Sequence, residues 1–405
     1  MRTTARFIAS EHSSDGATFS FFYGDFHIHL GKRNLRVIWS EHSTFLESVP
    51  VKVNPGGPAP EDLEGKVAVV ALKRGASVDA AVRSIAKWKP AAVLLVQIAP
   101  IDGPELHIRL DETGAQPSFT ILRVSSRELF QVVDAAKPGV MEAILSLRIQ
   151  PRSERMVNLK NVAGILPGTD PKLADSFVLV TAHYDHIGMN PAGVADRIYN
   201  GANDDASGVA ALIEIAHAIT AAHSAPRRSI LFMAYFGEEK GLLGSGYYAR
   251  HPLVPLNKTV ADLNLEQLGR TDGDFPAGNL TLTGFDFSDV TTALRLAAAA
   301  TGVQVRDPGK DGDEFFARSD NQSLADQGIP AHTIAAEFEF PDYHKVGDEW
   351  RKIDYTNMER VTRTVALTVL SVADSSEPPH WNEADQKTEK YVRAHRELRE
   401  SKSAN

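Results

Sequence analysis

Five short stretches in the second half of the chain carry side chains that bind metals or move protons. They are Thr181-Ala182-His183-Tyr184-Asp185-His186, the run from Asn200 to Gly208, Phe236-Gly237-Glu238-Glu239-Lys240-Gly241, Asn264-Leu265-Glu266, and Pro341-Asp342-Tyr343-His344-Lys345. Imidazole nitrogens and carboxylate oxygens hold divalent ions of the zinc type where thiolates are absent. Thiolates are absent here, since the chain has no cysteine. A Cys-ligated zinc, an iron–sulfur cluster, a thiolate nucleophile and a disulfide framework are therefore excluded. His183 and Asp185 stand two apart, so on an extended chain both point to one side. A carboxylate in that place can fix the orientation and tautomer of a metal-bound ring. His186 is close enough to line the same spot, with no role assignable to it.

Each stretch alone has a plainer reading. Asp204 and Asp205 precede a helical pattern and would serve as N-caps, accepting the unpaired N–H groups of the first turn. Glu238 and Glu239 fit a solvated turn, and a lone histidine at a strand end is more often structural than a ligand. The elements around them shift the balance. Residues 177–182, 229–236 and 260–265 are apolar at nearly every position, as strands covered on both faces are. Residues 207–223 read as a helix with an apolar face of Val209, Leu212, Ile213, Ala216 and Ile219. The stretches fall at the ends of these elements, and the carboxyl ends of strands in an open α/β sheet form its usual ligand crevice. The expected fold is α/β, with a mixed, mostly parallel central sheet flanked by helices.

The same five stretches, all in order across roughly residues 156–372, make the sequence similar to the di-zinc aminopeptidase and glutamate carboxypeptidase family of exopeptidases. The resemblance implies two zinc ions per chain, with His183, Asp204 and Glu266 holding one, Glu239, Asp204 and His344 the other, and Asp204 bridging. It makes Glu238 the general base, taking a proton from a water that bridges the metals and returning it to the leaving amine. Tyr343 beside His344 would donate to the developing oxyanion. Two doubly charged ions against Asp204, Glu239, Glu266 and a deprotonated water leave a near-neutral cluster. The implied activity is zinc-dependent hydrolysis of terminal peptide bonds, as an aminopeptidase before a carboxypeptidase. A glutaminyl-cyclase-like acyltransferase and a non-catalytic relative are the alternatives, and the complete ligand set argues against both. Two positions depart from the family pattern: Glu266, where Asp is more usual, and Asn321, where relatives commonly carry His. Arg318 is a candidate for carboxylate recognition, and Asp342 and Glu337 for a free amine.

Residues 1–152 form a separate, smaller, β-rich α/β region. Short strand-like runs at 19–22, 27–30 and 35–39 precede a Pro/Gly-rich loop at 54–60. Then come a buried strand at 65–72, a helix at 78–88 and a second strand at 92–97, a pattern that looks like a protease-associated domain. The peptidase region is placed at 153–376, with the boundary in the polar segment at 152–154. A charged tail at 377–405 is expected to be a solvated helix or a frayed end. His27 and His29 read as an exposed strand face, and His217 and His332 as structural residues. No Gly-x-Ser-x-Gly elbow supports a serine hydrolase.

Composition bounds the rest. The chain has 405 residues, 43% hydrophobic and 23% charged, which is a globular balance and long enough for two domains. With 43 basic against 52 acidic residues the formal charge is −9, so nucleic acid is not an expected partner and a peptide is. No apolar stretch reaches the roughly 18 residues of a membrane span. The first six residues carry no signal-peptide core, although proteins of the resembled family are often exported.

Overall fold

A computed structural model describes residues 2–11, 18–30, 34–40, 44–58, 60, 63–99, 101, 117–149, 153–189, 196–222 and 225–400. The chain divides into two compact units, Phe7–Val157 and Asn158–Asn405 with Met1–Arg6. The division falls inside one long strand, Ser153–Leu166, three residues beyond the polar segment that suggested it. Residue 152 of that segment lies outside the described residues.

In the smaller unit, Val51–Lys52, Val67–Ala71, Ala92–Gln97 and Thr120–Ser125 pair in parallel at the middle of a six-stranded sheet. Helices Val78–Ala86 and Arg127–Ala135 are capped by Ser77 and Ser126, whose hydroxyls accept the N–H of Ala80 and Leu129. A four-stranded antiparallel sheet completes this unit. His27 and His29 stand exposed on its strand Phe26–Leu30, with His29 hydrogen-bonded to Ser20.

The larger unit is built on an eight-stranded sheet. Its principal elements are β1 (Ser153–Leu166), β2 (Phe177–His183), α1 (Ser207–Ala221), β3 (Ser229–Tyr235), β4 (Thr259–Leu265), β5 (Asn279–Leu282), α2 (Val290–Thr301), β6 (Gln304–Arg306), β7 (Ala331–Ala335), α3 (Tyr355–Asp374) and α4 (Glu389–Glu400). The strand order is Arg2–Glu11, β1, β3, β2, β4, β7, β5, β6. β3, β2, β4 and β7 run parallel, and β1 and β5 pair antiparallel to β3 and β7. The fold is thus mixed α/β with a mostly parallel centre. Residues alternate across each strand. Val178, Val180 and Ala182 of β2 enter one core with α1, α2 and α3, and Leu179 enters the core on the opposite face. Burial on both sides is what made these runs apolar throughout.

Two local expectations are corrected. Ile213 is 58% exposed, because α1 buries Ala211, Leu212, Ile215 and Ile219, and Ile213 lies off that stripe. The charged tail is not a solvated end. Trp381 and Tyr391 stack with centroids 4.9 Å apart, and with Val392 they join a core that includes Phe316. The charges of α4 occupy its outer side, and few apolar residues suffice to dock it. Among the described residues no helix is long and apolar enough to cross a membrane.

Candidate metal centre

The parallel register brings the functional stretches to one edge of the sheet. Thr181 of β2 is level with Met233 of β3 and Asn264 of β4. The strands therefore deliver His183, the Glu238–Glu239 pair and Glu266 to the same end, where β3 and β4 flank β2 on opposite sides. Chain direction around the sheet reverses there, which opens a crevice beyond the strand ends.

Asp204 lies at the centre of the group. Its Oδ1 is 3.3 Å from His183 Nε2, and its Oδ2 is 3.2 Å from His344 Nε2. Glu266 Oε1 stands 3.7 Å from His183 Nε2, and Glu239 Oε2 stands 3.4 Å from His344 Nε2. Donors bound at zinc distances around one tetrahedral ion lie about 3.3 Å apart. The side chains thus form two donor sets that fit divalent ions and share Asp204. His183 is 1% exposed, and its Nε2 has no hydrogen-bond partner among the described residues. A buried nitrogen of that kind calls for a ligand.

The neighbouring segments fix these groups. Asp348, fully buried, accepts the N–H of Asn203 at 2.9 and 3.0 Å and that of Asp204 at 3.1 Å, so it grips the turn carrying the shared carboxylate. The plainer reading of the Asp204–Asp205 pair holds for one member. Asp205 Oδ1 accepts from Gly208 N and Gln267 N, tying the first turn of α1 to the end of β4. Gly208 must lack a side chain, because a Cβ there would meet the Asp205 carboxylate and the Leu265 carbonyl at 2.4 Å. Gly201, at φ +64°, likewise leaves room for the His186 ring.

Asp185 acts on His183 differently from the sequence expectation. Its carboxylate is 3.7 Å from His183 Nδ1, while its main-chain carbonyl is 3.0 Å away and accepts that ring's proton. The carboxylate is engaged elsewhere, since Oδ1 accepts the Glu238 N–H at 3.1 Å. Asp185 therefore orients the imidazole through its backbone and the Glu238 loop through its side chain. Glu238 Oε2 lies 4.0 Å from His183 Nε2, and Glu238 lines the same cleft as Asp204, Glu266 and His344.

The electrostatics are those of a site crowded with anions. Burial, reinforced by Glu266, Asp320 and Glu239, pushes Glu238 well above the usual carboxylate range. Burial likewise raises Glu266 to about 7. Burial opposes charge on His183 too, yet the Asp185 and Asp204 carboxylates hold it well above an ordinary histidine. The chain by itself thus demands positive charge at this spot, which divalent cations would supply. Burial and then Asp204 raise the Tyr343 phenol, keeping it a hydrogen-bond donor. Its ring stacks on His344 at 4.0 Å.

The two departures find different places. Ser319 donates to Glu266 Oε1 at 2.5 Å and itself accepts from Asn264 Nδ2, so a hydroxyl steadies the longer ligand arm. Asn321 points into the core, donating to the Phe316 carbonyl and accepting from Thr333, and does not line the cleft. A cleft opens beside Asp204, Glu238 and Glu266 and is bounded by Gln267, Thr283, Phe315, Arg318, Phe338 and Tyr343. Neither acid proposed for amine binding bounds it. Asp342 pairs with Arg270 and Lys352, and Glu337 caps the N–H groups of Phe275 and Phe338.

Sequence reasoning gave His186 no role. Its Nδ1 lies 2.7 Å from Glu239 Oε1 and 4.0 Å from Asp204 Oδ2. Its spacing of three from His183 was the only available signal. Asp348 and Ser319 were missed entirely, having no local pattern to mark them.

Fold and site together are those of an α/β protein carrying two adjoining sets of imidazole and carboxylate donors at the carboxyl edge of a parallel sheet. Residues 161–369, just over half of the chain, match peptidase family M28, and the chain belongs to that family. It is 28% identical over 244 residues to a "Probable zinc metalloprotease" of Pyrenophora teres f. teres, covering 55% of this chain and 50% of that protein. It is 26% identical over 289 residues to a "probable leucine aminopeptidase 2" of Aspergillus oryzae, covering 67% and 51%. The chain thus spans about half the length of these curated relatives. Among solved structures, an aminopeptidase from Aneurinibacillus sp. strain AM-1 superposes with a TM-score of 0.66 at 22% identity, covering 93% of this chain and 85% of that one. At that identity the likeness is one of fold.

Proposed function

We propose that this protein is a zinc-dependent exopeptidase of the aminopeptidase type, binding two Zn²⁺ per chain and hydrolysing a terminal peptide bond. The observation that carries the reading is Asp204, whose two oxygens each face a different imidazole nitrogen at 3.2–3.3 Å, each beside a further carboxylate. His183, Asp204 and Glu266 would hold one ion, and His344, Asp204 and Glu239 the other. When bound, the metals supply Lewis-acid polarisation of the scissile carbonyl and a water of lowered pKa. The chain's own groups do the rest. Glu238, on the cleft beside these donors but assigned to neither ion, takes the water's proton and returns it to the leaving amine. Asp185 holds His183 and the Glu238 loop in register. The protonated Tyr343 hydroxyl donates to the oxygen on which charge develops. The N-terminal unit, with parallel strands at the centre of its main sheet, is read with this proposal as a protease-associated domain.

Glu238→Gln tests the assignment. Metal analysis should return two equivalents of zinc in both variant and parent, while leucyl anilide hydrolysis falls at least about 100-fold. Near-parental turnover would refute the base, and one equivalent of zinc in the parent would refute the paired site.

A further inference from the structure

One wall of the cleft is a stack of planar groups. The rings of Phe338 and Phe315 lie 4.9 Å apart with 16° between their planes, and the Arg318 guanidinium carbon sits 4.3 Å over Phe315. All three bound the cleft that contains Asp204, Glu238 and Glu266. The contrast with the neighbouring cation is informative. Arg270 is 1% exposed and spends its donors on Asp272 and Asp342. Arg318 is exposed, and among the described residues its guanidinium makes no hydrogen bond and no ion pair. Stacking on an aromatic face holds such a group flat while leaving its N–H fork free, and a carboxylate matches that fork in geometry and charge.

The charge inventory of the cleft points the same way. Its acidic lining residues, Asp204, Glu238 and Glu266, all belong to the proposed metal and base machinery. Asp342 and Glu337 are occupied by internal partners. Apart from His344, a proposed ligand, Arg318 is the charged lining group left over for the substrate.

We propose that Arg318 is a specificity-determining residue that selects substrates carrying a carboxylate next to the scissile bond, an inference resting on the exopeptidase reading above. The carboxylate comes from one of two sources, the side chain of an acidic residue or the free C-terminus of a dipeptide. The apolar part of the same substrate would lie along Phe315 and Phe338.

The test compares kcat/KM within matched substrate pairs on the zinc-loaded full chain: glutamyl against leucyl p-nitroanilide, Leu-Glu-amide against Leu-Gln-amide, and Leu-Leu against Leu-Leu-amide. The parent should favour the carboxylate-bearing member of at least one pair. Arg318→Gln should reduce that ratio by about 10- to 100-fold, chiefly through KM, as expected for loss of a charge-assisted contact. Arg318→Lys should restore part of it, since charge returns without the planar fork. The affected pair identifies the source of the carboxylate. An unchanged ratio in Arg318→Gln, or a parent indifferent to the carboxylate in every pair, would overturn the proposal while leaving the hydrolase reading intact. A parent inactive on all six substrates would overturn both.

Discussion

At the scale of single residues, Glu239 is positioned by more than its proposed metal. Its Oε2 faces His344 and its Oε1 lies 2.7 Å from His186 Nδ1. Neither of these last two atoms has a hydrogen-bond partner among the described residues, and His186, Asp204 and Glu239 offer donor atoms within 4.8 Å of one another, so His186 belongs to the immediate surroundings of this ion position. Groups of this kind orient the ligand they touch, and their loss typically costs about 10- to 100-fold in metal affinity. His186→Ala should therefore weaken the zinc position beside Glu239 by about that factor, and the other position by less, as read by titration with Co²⁺ and its visible absorption. Equal affinity at both positions in variant and parent would dismiss this role.

At the scale of elements, the site depends on contacts between segments far apart in the chain. Asp348 holds the Asn203–Asp204 turn across more than 140 residues. Asp348→Ala would leave two buried N–H groups unsatisfied and should lower stability by about 2–4 kcal/mol, with loss of bound zinc in parallel. Retention of both stability and zinc would show that water replaces the carboxylate. This reach also marks what the sequence could disclose. The strand ends were legible because residues apolar on both faces announce a covered parallel sheet, and its carboxyl edge follows from topology. His183, Glu238, Glu239 and Glu266 stood at or just past those ends, Asp204 before a helix and His344 in a later turn, all in a recognisable order. Asp348 and Ser319 were illegible because their partners come from other segments, and a lone carboxylate or hydroxyl has no pattern. The tail misled for a related reason: its charge density is local and visible, whereas the docking of Trp381 and Tyr391 is tertiary.

At the scale of the whole molecule, the core carries its own response to pH. His332 is fully buried, its Nδ1–H donates to the Thr283 carbonyl and its Nε2 accepts from Ser288, and burial lowers its pKa from 6.5 to about 4. The unfolded chain therefore takes up this proton first. The stability tied to the neutral ring is complete above pH 6.5 and is lost as pH falls towards 4, by up to about 3 kcal/mol. His332→Gln should lower stability at neutral pH yet flatten the decline between pH 6.5 and 4 in denaturation curves, and a decline of undiminished slope would assign the acid sensitivity elsewhere. Asp262, raised from 3.8 to about 8 by burial, works in the opposite sense: the stability tied to its neutral form is complete below pH 3.8 and is lost as pH rises towards 8.

Because a single side chain offers one oxygen to each imidazole, the proposed metal positions cannot load independently. Whatever one occupant gains from finding that carboxylate already turned towards it, the other gains in equal measure, by thermodynamic reciprocity. Half-filled chains would then be scarce, and scarcity of metal would leave a mixture of full and empty molecules instead of a uniformly weakened population.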